Sequence, residues 1–291
     1  MITVLGAGGN TGGRVVRRLR EAGVPVRAVG RDTARLAGAV SRGAEPTVGD
    51  ITNPAFLTDA LRGAEAAYVL MPLDLAAPGY RRQQEQVGTA IASALATAGV
   101  PRVVALSSLG ADVERGTGFL EPLHEQEQRL AALDAQVTLV RPGLFFESFL
   151  PSLAPMQATG VHHDTVDADV VLPMVATADV GDAAADALLD TAAVGVREVL
   201  GAEDVTMPEA IARLGGVLGT PLRYERAPDD VMRAVLVEEA GLPADVVEEQ
   251  LAMNAAFNRG AVQSLAGRTP ATTTPTTLEQ WAATLVSTAR A

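Results

Sequence analysis

Short apolar runs alternate with amphipathic stretches along the first half of the chain. The runs predict buried strands, whereas stretches with apolar positions three and four residues apart predict helices that cover them. Regular alternation of strand and helix is typical of a doubly wound, parallel α/β sheet, which is the fold class we predict. The predicted strands are 2–5, 24–29, 45–48, 66–70, 102–106 and 137–140, and the predicted helices beyond the first are 33–40, 51–61, 80–98 and 123–133.

A glycine-rich turn follows the first predicted strand and precedes the first helix. Its glycines Gly6, Gly9 and Gly12 have the spacing G-x-x-G-x-x-G, which lets a pyrophosphate approach the backbone N–H groups at the start of a helix. The turn therefore predicts a dinucleotide site of the Rossmann type, in which Asn10 and Thr11 also contact the cofactor. The alternative is an ordinary glycine-rich turn.

The tip of the second strand decides between the two nicotinamide cofactors. An acidic residue there would bind the free ribose hydroxyls of NAD, but this chain has Gly30 and then Arg31. A guanidinium suits the 2′-phosphate of NADP, so we expect NADP(H), with NAD(H) less favoured. Asp32 is expected to cap the following helix. The alternative for Arg31 is a solvated loop arginine.

The rhythm changes after Gly143, and the chain divides there into two parts. We predict an NAD(P)-binding Rossmann core over 1–150, and over 151–291 a mixed segment that returns strands to the sheet and forms a smaller α/β lobe on the substrate side. Asp179 is expected to cap a helix over 180–189, and Thr206 with Glu209 forms a capping box. The other predicted elements of this part are strands 170–172 and 196–200, helices 206–218, 231–239, 244–257 and 278–286, and a strap over 269–277.

Composition excludes several kinds of chemistry. The 291 residues include no cysteine, so disulfides and thiolate nucleophiles are excluded. All 23 basic residues are arginine, which excludes a Schiff base and any Tyr-x-x-x-Lys pair. The net charge of −12 argues against nucleic acid as a partner. The apolar runs are too short to span a membrane and the chain starts on a strand, so we expect a cytoplasmic protein of undetermined oligomeric state.

Ligands of doubly wound sheets bind at the carboxyl ends of the strands. The residues at those ends are therefore the further candidates for cofactor binding, with ordinary loop packing as the alternative. They are Asp50, Leu70, Met71, Pro72, Ser107, Pro142, Gly143, Leu144 and Phe145. Ser108 follows the fifth strand, where a hydroxyl would face the nicotinamide side of the cleft, and we take it as a candidate catalytic residue.

Half of the six phenylalanines lie within 144–150. Phe146 and Phe149 are therefore candidates for an apolar wall against an aromatic substrate, with core packing as the alternative. His162 and His163 follow this segment, and one of them is expected to lie over the substrate, with solvent exposure as the alternative. Adjacent residues of a strand face opposite sides, so the pair converges on no metal, and we predict no metal site. Tyr80 is a candidate at the mouth of the cleft.

Six stretches of the chain form a recognisable set of motifs: the glycine turn at 6–12, then 26–31, Gly49-Asp50, Ser107-Ser108, the run 139–148 with its Arg-Pro-Gly-x-Phe core, and 178–181. Together they resemble the NmrA-like group of atypical short-chain dehydrogenases/reductases. The resemblance is strongest over residues 1 to 190 and implies NADP(H) or NAD(H) on a Rossmann domain, with a small lobe over the nicotinamide. Some members of that group are reductases of quinones, ketones or C=C bonds, and others bind the cofactor without catalysis.

The chain departs from the group at the proton relay. The resemblance implies a serine, a tyrosine and a lysine at the reacting carbonyl, and Ser108 fits the serine. Registering the helix on Glu127 and Leu130 places Phe119 at the tyrosine position and Leu123 at the lysine position. Both residues are inert and are expected only to line the substrate site. His124 is the other candidate acid, with an exposed helical histidine as its alternative.

Three functions remain open on this evidence. The first is an NADPH-dependent reductase of a quinone or of a phenol-bearing polycyclic ketone, because such substrates stabilise the charge left by hydride transfer themselves. The second is a non-catalytic protein that senses NADP(H). The third is an isomerase, lyase or cyclase that reuses the pocket. The aromatic cluster favours the first, and the missing tyrosine and lysine favour the second.

Overall fold

Twelve strands lie within residues 1–288, the part of the chain that the computed structural model describes. They are β1 (Ile2–Leu5), β2 (Val26–Gly30), β3 (Glu45–Val48), β4 (Ala66–Val69), β5 (Arg102–Leu106), β6 (Gln136–Pro142), β7 (Leu144–Phe145), β8 (Val161–Asp164), β9 (Val171–Val175), β10 (Gly195–Val199), β11 (Asp204–Thr206) and β12 (Arg223–Arg226). Seven of them form one sheet in the order β10-β6-β5-β4-β1-β2-β3.

Every pairing in this seven-stranded sheet is parallel. The strand order reverses between β1 and β4, which opens a crevice at the carboxyl ends of these strands. The predicted doubly wound α/β fold is therefore confirmed. β10 joins the sheet beside β6, with Val199 opposite Pro142. A strand from the second half of the chain therefore forms one edge of a sheet whose other six strands come from the first half.

Eleven α-helices lie within the same residues and cover both faces of the sheet. They are α1 (Asn10–Glu21), α2 (Thr33–Val40), α3 (Pro54–Leu61), α4 (Tyr80–Ala98), α5 (Glu121–Ala131), α6 (Leu153–Thr159), α7 (Thr177–Leu189), α8 (Met207–Leu218), α9 (Asp229–Ala234), α10 (Ala244–Asn258) and α11 (Leu278–Thr288). α1, α2 and α7 bury their apolar sides on one face, and α3, α4 and α5 bury theirs on the other. None of them is long and apolar enough to cross a membrane.

A smaller lobe stands beside the carboxyl ends of the main sheet. β9 is its centre, parallel to β7 and antiparallel to β11, while β8 and β12 form a separate parallel pair. Its apolar core includes Phe146, Phe149 and Trp281 and is distinct from the two cores of the main sheet. Because β7 follows β6 directly, the lobe begins where the main sheet ends.

Most local signals are confirmed, and one is wrong. Asp32 caps α2 by accepting from the Ala34 amide at 2.8 Å, and the capping box of Thr206 and Glu209 is present. Asp179 does not cap α7, which begins at Thr177. The carboxylate of Asp179 instead accepts from the amide and hydroxyl of Thr276 at 3.0 and 2.6 Å, so it ties the 269–277 strap to α7.

Several predicted helices differ from the structure at their ends; the helix predicted over 123–133, for example, is α5 at Glu121–Ala131. The helix predicted over 51–61 begins at Pro54, because Asn53 accepts from the amides of Ala55 and Phe56 and so caps it. The helix predicted over 231–239 divides into α9 and a π-helical turn at Val235–Glu239.

Candidate active site

The glycine turn brings the backbone of β1 against the start of α1. Gly6 has φ +64°, a left-handed conformation that favours glycine, and its carbonyl accepts from the Gly9 amide at 2.9 Å. A Cβ on Gly12 would overlap that same carbonyl oxygen, so the helix lies directly on the turn. Gly12 is therefore required by packing between two stretches of backbone.

The start of α1 is open to an anion. Its N-cap, Gly9, offers no side-chain acceptor, and the first turn carries no acidic residue. The first amides of a helix have no partner within the helix and carry the positive end of its dipole. Gly8, Gly9 and Asn10 are exposed, so these donors face solvent at the edge where the strands end. The turn fits a pyrophosphate.

Thr11 occupies the inner side of the turn. Its hydroxyl oxygen accepts from the Tyr68 hydroxyl at 3.0 Å, and both side chains are buried. Burial raises the pKa of Tyr68 well above its ordinary value, so the phenol stays neutral and keeps donating. Thr11 can therefore serve a cofactor through its backbone, while its side chain joins α1 to β4.

Two arginines lie near the tip of β2. Arg31 is exposed, and its charge contributes to lowering the pKa of Asp50, which is lowered mainly by a hydrogen bond from the Thr52 amide. Arg35 was not among the sequence candidates. A Cβ on Gly8 would lie 2.7 Å from the Arg35 carbonyl oxygen, so α2 packs on the glycine turn at Arg35, and Arg35 is exposed. The available signal was an arginine one helical turn after Arg31.

The residues after β4 run along the base of α4. The Leu70 side chain fills the space above Gly6, and the Met71 sulfur lies over Gly88 of α4. The carbonyl of Pro72 accepts from the Gln84 side chain at 2.9 Å. All three residues thus lie between the glycine turn and α4, at the open edge of the sheet.

The ends of β5 and β6 are bound to each other. The Ser107 amide donates to the Val140 carbonyl at 2.7 Å, and the Leu109 amide donates to the Pro142 carbonyl at 3.0 Å. Ser107 is buried and Ser108 is half-buried, so of the two serines Ser108 is the more accessible.

Gly143 marks the crossing from the main sheet into the lobe. A Cβ there would overlap the Pro173 carbonyl oxygen of β9, and the Gly143 amide donates to the Val199 carbonyl at 3.1 Å. Leu144 and Phe145 then continue as β7. The candidate residues 142–145 therefore lie on extended backbone pressed between β9 and β10.

A buried ion pair lies beneath these strand ends, and sequence reasoning assigned it no role. Arg141 donates to both carboxylate oxygens of Glu127, at 2.9 Å from Nε and 2.5 Å from Nη2. The Ser107 hydroxyl donates to Oε1 of the same carboxylate at 2.5 Å. The pair raises the pKa of Arg141 through its hydrogen bonds with Glu127, so the guanidinium is firmly charged.

The aromatic candidates for the substrate are mostly packed against protein. Phe119 meets Tyr80 edge to face at 4.9 Å, and the Tyr80 hydroxyl donates to the Phe119 carbonyl at 3.2 Å. Val246 of α10 completes this cluster, so the position that corresponds to the missing tyrosine lies under α10. Leu123 is half-buried against the core of the lobe.

The lobe's own aromatics form its core. Phe146 packs on Trp281 at 5.6 Å, and Phe149 meets the ring of His162 edge to face at 5.8 Å. Phe146 and Phe149 are 3% and 2% exposed, which is the packing that the alternative interpretation expects. Contact of either ring with a substrate stays a prediction.

His124 contacts the turn that follows β5 at Ala111. Its Nδ1 is 2.8 Å from the Ala111 carbonyl, which can only accept, so Nδ1 carries the proton. The ring lines an open cavity of about 550 Å³ together with charged side chains that include Glu121, Glu125 and Arg129. Among residues 1–288, no other sequence-predicted site residue lines this cavity. His124 contacts the turn that carries Ser108, residues 107–111, through the Ala111 carbonyl.

His162 and His163 face opposite sides of β8, the first buried and the second exposed. Burial, with a smaller contribution from His163, lowers the pKa of His162 to about 4. The unfolded value lies near 6.5, so the neutral ring stabilises the fold above pH 6.5, and this stability is lost as the pH falls towards 4.

We therefore expect His162→Phe to remove part of the acid sensitivity. Between pH 6.5 and 4 the natural protein should lose about 3 kcal/mol more free energy of unfolding than the variant does. Urea titrations across this range measure the difference, with exposed His163→Gln as the control. Equal pH slopes for the natural protein and His162→Phe would show that the ring is not buried in solution.

Comparison with known proteins relates the whole chain to one group. The model described as the NmrA-like family matches residues 1–282. A (4-alkanoyl-5-oxo-2,5-dihydrofuran-3-yl)methyl phosphate reductase from Streptomyces griseus subsp. griseus is 33% identical over 278 residues, which cover 92% of this chain and 93% of the relative. An NAD(P)H azoreductase from Xenophilus azovorans is 29% identical over 232 residues, which cover 77% and 76%.

Solved structures share the fold. An NADPH-dependent quinone oxidoreductase from Escherichia coli, complexed with NADPH, superposes with a TM-score of 0.81 at 24% identity, covering 98% of this chain and all of the other. A second structure of that oxidoreductase gives a TM-score of 0.77 at 25% identity, with the same coverage.

Proposed function

The chain belongs to the NmrA-like family, and from that premise we propose that it is an NADPH-dependent reductase of a quinone or of a phenol-bearing polycyclic ketone. One observation carries the proposal. The glycine turn offers open helix amides in the crevice, and the sequence register assigns Phe119 and Leu123, neither of which is an acid, to the tyrosine and lysine positions of the proton relay. The site is thus built to hold a dinucleotide but lacks the usual proton relay.

The chain's residues divide the work of binding. NADPH, when bound, supplies a hydride from its nicotinamide. The amides at the start of α1 would hold the pyrophosphate, and Arg31 with Arg35 would hold the 2′-phosphate. The extended backbone at 142–145 would lie beside the nicotinamide, and the Ser108 hydroxyl would donate to an oxygen of the acceptor.

The missing acid selects the class of acceptor. Hydride addition leaves negative charge, which an isolated ketone cannot stabilise without a proton donor. A quinone delocalises this charge over its ring, and a phenol beside a ketone donates its own proton. The relatives point the same way, because quinones, azo compounds and an acylated unsaturated lactone all contain conjugated, electron-poor groups.

Replacing Arg31 tests the cofactor preference. Arg31→Ala should raise the dissociation constant for NADPH by about 10-fold and leave that for NADH nearly unchanged, because a charge-assisted contact to phosphate is worth about 1.5–3 kcal/mol. Titration of nicotinamide fluorescence measures both constants. Arg62→Ala is the control, since Arg62 is exposed and its guanidinium pairs with the exposed Asp59. Equal losses for the two cofactors would contradict the assignment.

Turnover tests the activity. Loss of NADPH absorbance is followed with a panel of quinones and hydroxylated polycyclic ketones, with NADH in parallel. The proposal predicts turnover with at least one acceptor and a preference for NADPH. Micromolar NADPH binding without turnover on any acceptor would reject the reductase and favour a protein that senses NADP(H).

A further inference from the structure

Three polar side chains from three different elements meet beneath the ends of β5 and β6. Glu127 comes from α5, Arg141 from β6 and Ser107 from the first residue after β5. Their exposed fractions are only 5%, 7% and 6%. The carboxylate of Glu127 accepts three hydrogen bonds from the other two, so its capacity is largely used inside the protein.

This buried ion pair contributes little net stability, because its desolvation offsets much of the attraction between the two charges. Desolvating a carboxylate and a guanidinium costs several kcal/mol per ion, and apolar residues of the same volume often stabilise a fold equally well. Glu127 is also a poor candidate for the proton donor, because it is engaged by a permanently charged arginine. If the network positions the neighbouring backbone, this role explains why the chain keeps a buried ion pair despite its desolvation cost. It also explains why the Glu127 carboxylate is fully engaged by protein donors.

The network of Glu127, Arg141 and Ser107 is linked to the turn that carries Ser108. Ser107 begins this turn and is bound by Glu127, while Ala111 ends it and is bound through its carbonyl by His124. The Ala111 amide donates to the Ser108 carbonyl at 3.2 Å, so the turn closes on itself. Glu127 and His124 lie one helical turn apart on α5, so this helix holds both ends of the 107–111 turn by hydrogen bonds.

We propose that Glu127 is a positioning residue for the reduction site. It fixes Ser107 and Arg141, and thereby the backbone on which Ser108 stands relative to the strand end at 142–145. The inference rests on the proposed function, because it assigns Ser108 to the reacting acceptor. Arg141 is the partner that keeps the carboxylate in place, and His124 is a second anchor of the same turn rather than the acid.

The test compares Glu127→Gln with the double variant Glu127→Leu/Arg141→Met. Both should lower kcat for a quinone by about 10- to 100-fold, since misplacement by about 1 Å can cost a factor of this size. The KM for the quinone and the dissociation constant for NADPH should change little, because the glycine turn is untouched. Glu125→Gln is the control on the same helix, since Glu125 is exposed and pairs with Arg129.

The double variant separates position from stability. It removes the buried charge pair as a unit, so its melting temperature should recover relative to Glu127→Gln while its kcat stays low. If kcat recovers together with the melting temperature, the role of Glu127 is stability alone and the proposal is overturned.

Hydrogen exchange keeps this test independent of turnover. If the natural protein reduces no acceptor, the proposed function fails, and exchange at the amides of Leu109 and Ala111 then decides the inference. Faster exchange at these amides in both variants, with no change in Glu125→Gln, supports the proposal that Glu127 holds the turn that carries Ser108. Unchanged exchange in the double variant overturns it.

Discussion

Gly12→Ala is expected to remove NADPH binding and to cost about 3 kcal/mol of unfolding free energy. The added Cβ would overlap the Gly6 carbonyl, and backbone cannot move aside as a flexible side chain can. Relief requires α1 to shift away from β1, which carries the first helix amides away from the position where they meet the pyrophosphate. Fold and cofactor site should therefore fail together.

The neighbouring glycine supplies the matched control. A Cβ on Gly13 would lie 3.4 Å from the Ala7 carbonyl oxygen, which is ordinary contact, and alanine is favoured over glycine within a helix by about 1 kcal/mol. Gly13→Ala should keep NADPH binding and equal or exceed natural stability. Urea unfolding and NADPH titration measure both variants. NADPH binding by Gly12→Ala at natural affinity would refute the proposed contact of helix and turn.

Arg141→Met is expected to cost about 3–5 kcal/mol of unfolding free energy. Methionine fills a similar volume but leaves the Glu127 carboxylate buried with Ser107 as its remaining partner. An uncompensated buried charge is far more costly than the loss of an exposed pair. The effect should therefore exceed that of removing any surface arginine.

Arg18→Met shows the contrast. Arg18 pairs with Asp182 and Asp186 between α1 and α7, where all three side chains are partly exposed, and such pairs are worth about 0–1 kcal/mol. Urea denaturation of the two variants under identical salt gives the comparison directly. If Arg141→Met loses no more than Arg18→Met, water must reach Glu127, and the buried network is not as the structure shows it.

The fold was predictable because its signals are local. A strand buried on both faces is apolar along almost its whole length, and β1 and β5 have the bounds that this pattern gives. The cap of Asp32 on α2 and the box of Thr206 with Glu209 span only a few residues. Pattern, cap and turn all act within one element, so sequence alone reveals them.

The errors concern partners that are distant along the chain. Asp179 has the local signature of a cap, yet Thr276 reaches it from 97 positions later and takes its carboxylate. Glu127 reads as a polar residue of an amphipathic helix, and its burial follows only once Arg141 and Ser107 arrive from other elements. The periodicity of hydrophobic positions within one element carries no information about such long-range contacts.

The aromatic cluster shows a second kind of limit. Phe146 and Phe149 are buried within the lobe, but a wall of a pocket and the interior of a core require the same apolar side chains. The sequence shows that these rings are apolar, but it does not show whether protein or a ligand packs against them. Arg35 was missed for a related reason, because its position depends on how α2 packs against Gly8.

Anaerobic single-turnover reduction tests the central claim most directly, namely that this chain transfers hydride from NADPH without a tyrosine–lysine acid. The protein is mixed with a quinone and with NADPH that carries either hydrogen or deuterium at C4 of the nicotinamide. We predict one hydroquinone formed for each NADPH oxidised, with slower oxidation of the deuterated cofactor. Saturable binding of NADPH with no oxidation by any quinone would contradict the account.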